Sequence, residues 1–321
     1  MSTSATVSSV ITTYNRPEGL RRALTSVGVQ DVDGHEVVLV NDGGPDVTAI
    51  VDEVRQQTSA TIRLINLSVN LGLSAARKVG IAATEGQYVA FLDDDDIWLP
   101  HHLRTALAGL GDENVDAVYT TCLVAHSLAQ PGQVVPSRHR FDHPFNPDLL
   151  AVTNLTPVIS VVTRRFDPHD AALNPGDVLQ EDYALWLGLV FGHDWRMRHL
   201  NTPTTVYHRI SQAASMTGDA ATTIAGSRRF EKGQRLLHER WPVEPASTAG
   251  VHRELFYRMY EVLEARLSAG LPTDMYYYER TLRLLRDSIN GDLSRKEFEA
   301  QLALVADPAT GPASTDEEVL W

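Results

Sequence analysis

The 321-residue chain has a single cysteine, Cys122. One thiol closes no intrachain disulfide and builds no thiolate-rich metal site. That fits a reducing compartment, and a cytoplasmic location is the expectation. Basic residues are in deficit: 41 Asp and Glu face 28 Lys and Arg, for a net charge of −13. Such a chain gains little from the counterion release that drives nucleic-acid binding. It is also a poor general binder of anionic membranes. No run approaches the roughly 20 apolar residues that span a bilayer. The most apolar long stretch, Leu149–Val162, is interrupted by Thr153, Asn154, Thr156 and Pro157. The start, MSTSATVSSV, has neither a basic nor a long apolar segment, so no signal peptide is read there. Walker-type Gly-Lys-Ser/Thr and Gly-x-Ser-x-Gly segments are missing too, which removes P-loop and lipase-like readings.

What is present is a folding sequence, 43% apolar and 21% charged. Its length suits one large α/β domain with an appendage, or two ordinary domains. The first 130 residues alternate short apolar strands with helical patterns. Strands are predicted at Val7–Thr12, Glu36–Val40, Thr61–Leu67 and Tyr88–Leu92. Helices are predicted from Pro17, over Val47–Gln57 and over Leu73–Thr84. That alternation implies a mostly parallel sheet flanked by helices. Such sheets bind ligands at the carboxyl ends of their strands. Pro131–Pro147 reads as an irregular loop or lid, and Gln212–Asp219 as a flexible loop. Strand is predicted again at Pro157–Thr163 and around Asn201–Arg209, and helix at Asp182–Val190. Beyond Pro245 the pattern becomes helical, over Arg253–Ser268, Thr273–Asn290 and Arg295–Val305, with a loose polar tail from Asp307. Those helices could bind an acceptor, form a homodimer or brace the rest of the chain.

Four polar clusters stand out. Asp93-Asp94-Asp95-Asp96 directly follows a buried strand. Four adjacent carboxylates raise one another's proton affinity unless a cation sits among them. Hard divalent ions take such oxygen ligands and bridge them to phosphates. Alternation places Asp93 and Asp95 on one face of an extended segment. A solvated, helix-capping turn explains an acidic run equally well, but its place after a buried strand favours function. Asn41-Asp42-Gly43-Gly44 is a turn that lets a ligand approach closely, though an ordinary turn has the same composition. Asn70-Leu71-Gly72 leads into a helix carrying Arg77 and Lys78, a setting for an anion or simply a capped helix. Glu181-Asp182 opens a helix, as capping acids or as a general base. His208 and Arg209, after an apolar strand, are candidates for metal or phosphate contact.

The order of Val10-Ile11-Thr12-Thr13-Tyr14-Asn15-Arg16-Pro17, Val40-Asn41-Asp42-Gly43, Asn70-Leu71-Gly72 through Arg77, Phe91–Asp96 and Glu181-Asp182-Tyr183 resembles the inverting glycosyltransferases of family 2, which have the GT-A fold. The resemblance covers about residues 6–125 most fully and extends to about 217. Together with the helical pattern beyond Pro245, it divides the chain into a nucleotide-sugar-binding part at 1–125, an acceptor and catalytic-base part at 126–244, and a helical C-terminal extension at 245–321. It implies a donor pocket lined by Thr13, Tyr14, Asn15 and Arg16. Asp42 with Gly43 would hold the base, usually uracil. Asn70, Gly72 and Arg77 would lie near the base or diphosphate, Asp94 near the ribose, and Arg209 near the diphosphate. Asp95 would be the chief Mn²⁺ or Mg²⁺ ligand, with Asp93 and His208 in support. Asp182 would be the base, with Glu181 as the neighbour able to replace it. Asp96 is left as a helix cap. The partners implied are an NDP-sugar and a small-molecule or lipid-linked acceptor. A sugar nucleotidyltransferase, a non-catalytic nucleotide-sugar-binding protein and a Ca²⁺ module are the competing readings. The nucleotidyltransferase would want a Gly-rich basic loop that Thr12–Pro17 does not supply, and the Ca²⁺ module the EF-hand's alternating ligands and mid-loop glycine.

Overall fold

The computed structural model describes residues 6–129, 134–137, 139–169, 180–209, 220–310 and 316–319. The chain begins with β1 (Val7–Thr13), α1 (Pro17–Gly28), β2 (His35–Asn41), α2 (Thr48–Arg55), β3 (Thr61–Asn66), α3 (Leu73–Ala82) and β4 (Tyr88–Asp93). Strands β1 and β2 are buried along their whole length, as expected of a sheet covered on both faces. Pro17 enters α1 in its first turn, where its missing N–H costs nothing. The small residues of α3 let it lie close on the sheet. A Cβ on Gly80 would fall 2.4 Å from Val10 Cγ1.

Next come β5 (Ile97–Trp98), α4 (His102–Gly109), β6 (Ala117–Ala125), β7 (Val134–Ser137), β8 (His139–Phe141), α5 (Pro147–Val152), a 3₁₀ turn at Val158–Ser160 and β9 (Val161–Arg164). Helix α6 (Glu181–Leu187) runs into a π turn at Gly188–Gly192 and is followed by β10 (Met197–His208). The chain closes with α7 (Ile224–Arg240), α8 (Thr248–Ser268), α9 (Tyr277–Ile289), α10 (Arg295–Val305) and β11 (Asp316–Val319).

Among the described residues, nine strands form one sheet in the order β3-β2-β1-β4-β9-β6-β10-β5, with β8 also on β6. The first half is parallel as predicted: Val10 lies opposite Val38 of β2 and Phe91 of β4. The second half is mixed, because β9 runs against both β4 and β6, and β5 against β10. One apolar cluster runs through the molecule, from Val7 through Trp98 and Trp186 to Phe256 and Phe298.

Several expectations need correction. The stretch 131–147 is not wholly irregular. His139–Phe141 pairs with β6, and Val134–Ser137 pairs with β11, so the tail from Asp307 also contains a strand. Strand Pro157–Thr163 is shorter than predicted, its first part being a 3₁₀ turn. Helix begins at Ile224, well before Pro245. The loop predicted at 212–219 lies outside the described residues. Among the described residues, no helix is long and apolar enough to cross a membrane.

Candidate active site

The parallel strands deliver their polar ends to one edge. Thr12 is in register with Asp93, and Thr13 with Asn41. Thr13 Oγ1 donates to Asp94 Oδ2 at 2.7 Å. Arg16 Nη1 reaches Asp94 Oδ1 at 3.0 Å and Asp95 Oδ2 at 2.8 Å. Burial works against the charge on Arg16, but Asp95 and Asp94 hold its proton more tightly than usual. Tyr14 and Asn15 are exposed at the mouth of this edge, and Asn15 has a left-handed φ of 57°.

The four aspartates differ. Burial raises the proton affinity of Asp94, opposed by Thr13 and Arg16. Asp95 is partly exposed, yet burial and the charges of Asp93 and Asp94 lift it to about 6, against the pull of Arg16. Asp96 is raised furthest, by burial first and then by Asp95 and Asp93. Its role is not the predicted cap: the residue before α4 is His101, and it makes no side-chain cap. Asp96 instead accepts the His208 N–H at 2.7 Å, which ties the end of β10 to the acidic turn.

Asp42 is buried and takes two backbone N–H groups, Leu71 to Oδ1 at 2.8 Å and Gly72 to Oδ2 at 2.9 Å. It therefore fixes the loop that carries Asn70 into α3. Gly43 makes this contact possible. Its φ is 72°, and a Cβ there would fall 2.4 Å from the Val69 carbonyl carbon. Gly72 sits at the N-cap of α3 with φ 88°, and Asn70 is exposed beside it.

Arg77 joins the acidic run to the Glu181-Asp182 helix start. Its Nη2 donates to Asp93 Oδ1 at 2.6 Å and its Nη1 to Glu181 Oε1. The side chain is 2% exposed. Burial opposes its charge, but Asp93 and Glu181 outweigh burial and raise its proton affinity. Glu181 is engaged by this guanidinium, and beside it lies Asp182. Burial and the Glu181 charge raise it to about 7, against the pull of Arg77. A carboxyl near neutrality is matched to general-base work.

Two expected residues point elsewhere. His208 does not join Asp93 and Asp95 as a metal ligand. Its Nε2 accepts the Ala129 N–H at 3.1 Å, and its Nδ1 is 3.6 Å from Asp96 Oδ1. Burial lowers its proton affinity to about 4. A neutral ring accepting through Nε2 carries its proton on Nδ1, so no lone pair is left for a metal. Arg209 turns to the C-terminal helices, where Nη1 meets Met275 O at 2.8 Å and Glu279 Oε2 at 2.9 Å.

One residue in contact with Asp182 escaped the sequence reading. Asn154 Nδ2 donates to Asp182 Oδ2 at 2.8 Å. Its only signal was a polar residue interrupting an apolar stretch.

Among the described residues, no three His, Cys, Asp or Glu side chains form a ready metal cage. The donor set that remains is Asp95 and Asp93, both partly exposed. Asp95 is raised by its carboxylate neighbours as well as by burial. Hard carboxylates under mutual repulsion fit Mg²⁺ or Mn²⁺ of the kind that draws most of its shell from phosphate and water.

The fold is similar to that of GT-A glycosyltransferases, and the glycosyltransferases that the chain resembles mark it as a transferase enzyme. Residues 8–149 match the model of glycosyl transferase family 2. The uncharacterized glycosyltransferase YwdF of Bacillus subtilis is 27% identical over 232 residues, 72% of this chain and 82% of YwdF. The uncharacterized glycosyltransferase alr2836 of Nostoc is 37% identical over 99 residues, which span only 30% of each chain. Among solved structures, S. aureus TarS 1-349 in complex with UDP-GlcNAc has a TM-score of 0.53 at 18% identity, over 93% of this chain and 81% of that one.

Proposed function

We propose that the enzyme transfers a sugar from an NDP-sugar, a UDP-sugar, to an acceptor hydroxyl with inversion, assisted by Mn²⁺ or Mg²⁺. The observation that supports this reading is the Arg77 bridge from Asp93 to Glu181, the residue beside Asp182, whose carboxyl has near-neutral proton affinity. The TarS structure that holds UDP-GlcNAc supports the choice of donor.

In this reading, residues 1–125 bind the donor. The Asp42–Gly43 turn and the 70–72 loop receive the base, beside Thr13, Tyr14 and Asn15. Asp94 lies toward the ribose, and Arg77 holds Asp93 in place through its 2.6 Å hydrogen bond to Oδ1. Asp95, with Asp93, would hold the divalent ion, whose charge offsets the negative charge that builds on the departing diphosphate. Residues 126–244 present the acceptor. Asp182 removes the proton from its hydroxyl as that oxygen attacks the anomeric carbon from the face opposite the diphosphate. A single displacement of this kind inverts the centre and needs no second carboxylate as nucleophile. The acceptor is a small molecule or a lipid-linked sugar.

The test is a donor panel with product analysis. Release of NDP that depends on acceptor supports the reading. Release of pyrophosphate from an NTP and a sugar phosphate would replace it with nucleotidyl transfer. Binding of NDP-sugar without turnover would leave a binding protein. Asp95→Ala and Asp182→Asn should each remove turnover; near-normal rates in both would overturn the site assignment.

A further inference from the structure

The four residues ending at Asn154 are gripped by helices outside the segment matched by family 2. From α8, Arg253 Nε donates to Ala151 O at 2.9 Å. From α7, Gln234 Nε2 donates to Val152 O at 2.9 Å, and the His238 ring lies 2.9 Å from the same oxygen. From α9, the Tyr278 hydroxyl lies 2.7 Å from Thr153 Oγ1 and donates to Asn154 O at 2.8 Å. Each residue from Ala151 to Asn154 is thus anchored by the C-terminal part, Thr153 and Asn154 both by the Tyr278 hydroxyl. Asn154 then passes its amide to Asp182 Oδ2, while the Tyr183 N–H takes Oδ1 at 2.8 Å.

We propose that Tyr278 and Asn154 are positioning residues for Asp182, so that the C-terminal helices set the geometry of the proton-accepting carboxylate. The inference rests on the reading of Asp182 as the base. Two features of the contact support it. Both carboxylate oxygens receive a donor, which fixes the plane of the group. And Asn154 Oδ1 is buried with no partner among the described residues. A buried amide oxygen without a partner is unfavourable, and its retention calls for a reason. The amide is oriented by what its nitrogen does, because turning it over would set oxygen against carboxylate. Glu181, Arg77, Asp93 and Tyr278 are the charged or titratable groups whose charges act on Asp182.

A misplaced catalytic group acts on the chemical step far more than on donor binding, and a shift of about 1 Å can cost on the order of 100-fold. Tyr278→Phe keeps the ring and removes only the hydroxyl; Asn154→Ala removes the donor itself. In the full chain, NDP release should show kcat reduced about tenfold or more in both variants. Donor KM and the Kd for NDP should stay within about twofold, and Tm close to the parent value for Tyr278→Phe. Parent kcat in both variants would overturn the proposal. So would a loss of kcat that tracks equal losses in NDP binding and Tm, which marks a merely structural role. Asp182→Asn separates the two levels. If it retains turnover, the base assignment itself fails. If it is inactive while Tyr278→Phe and Asn154→Ala turn over normally, only the positioning role fails.

Discussion

Arg77 Nη2 lies 2.6 Å from Asp93 Oδ1, with the guanidinium almost wholly out of water. Its other arm holds Glu181, 104 residues further along the chain. Removing one partner from such an arrangement leaves buried charge without compensation, which costs about 3–5 kcal/mol. Arg77→Met is therefore expected to lower stability by that order and to abolish turnover. Urea denaturation and an NDP-release assay check it. Arg77→Lys should not rescue activity, because a single ammonium cannot span both carboxylates in the planar fork that arginine supplies.

Proton affinity at Asp182 gives a second prediction. As the proposed base, Asp182 works only when deprotonated, and burial with the Glu181 charge raises its pKa to about 7. Log kcat/KM should rise with pH through the neutral range and level off above it. An acid limb near pH 4, the ordinary carboxylate position, would mean that another group is titrating.

Stability should run the opposite way. Asp94, Asp95 and Asp182 all hold protons more tightly in the folded chain than in the unfolded one. Between the unfolded and folded values the folded state binds more protons, so stability falls as pH rises. For these groups, ligand-free protein is more stable at pH 5 than at pH 8. Asp95→Asn should flatten part of that difference and raise Tm at pH 8 while removing turnover. Denaturation curves at the two pH values decide; an unchanged difference in the variant would count against it.

The Asp42–Gly43 turn supplies a fourth. At φ 72°, with the Val69 carbonyl carbon 2.4 Å from any added Cβ, Gly43→Ala must move the 69–72 loop. The left-handed backbone alone costs about 1–2 kcal/mol for a non-glycine residue. Loss of stability should be accompanied by weaker NDP binding, measured by calorimetry, because the displaced loop is the one that Asp42 holds.

The N-terminal half was readable in the sequence because its central strands β1, β2 and β4 are largely buried. They appear as apolar runs that end abruptly in Thr-Tyr-Asn, Asn-Asp-Gly and the aspartates. The signal failed where structure depends on distant partners. Helix α7, with the sequence Ile-Ala-Gly-Ser-Arg-Arg-Phe-Glu-Lys-Gly-Gln-Arg-Leu-Leu-His-Glu-Arg, carries few apolar residues and two glycines, so its periodicity is faint. His208 looked like a ligand because it follows a strand, but its ring is spent on Ala129 and its backbone on Asp96. Asp96 looked like a cap because it precedes a helix, but it faces β10 instead. Asn154 carried no motif at all. Its contact with Asp182 exists only once α5, α6 and α9 are packed together.

The most direct test is Asp182→Asn, read for binding and turnover on the same preparation. The side chain is nearly isosteric, so calorimetry with UDP and Mn²⁺ should give a Kd within about twofold of the parent, while acceptor-dependent UDP release falls by about 100-fold or more, the scale of a lost general base. Turnover within a few-fold of the parent, with the Kd unchanged, would contradict the assignment of this carboxylate as the group that accepts the proton.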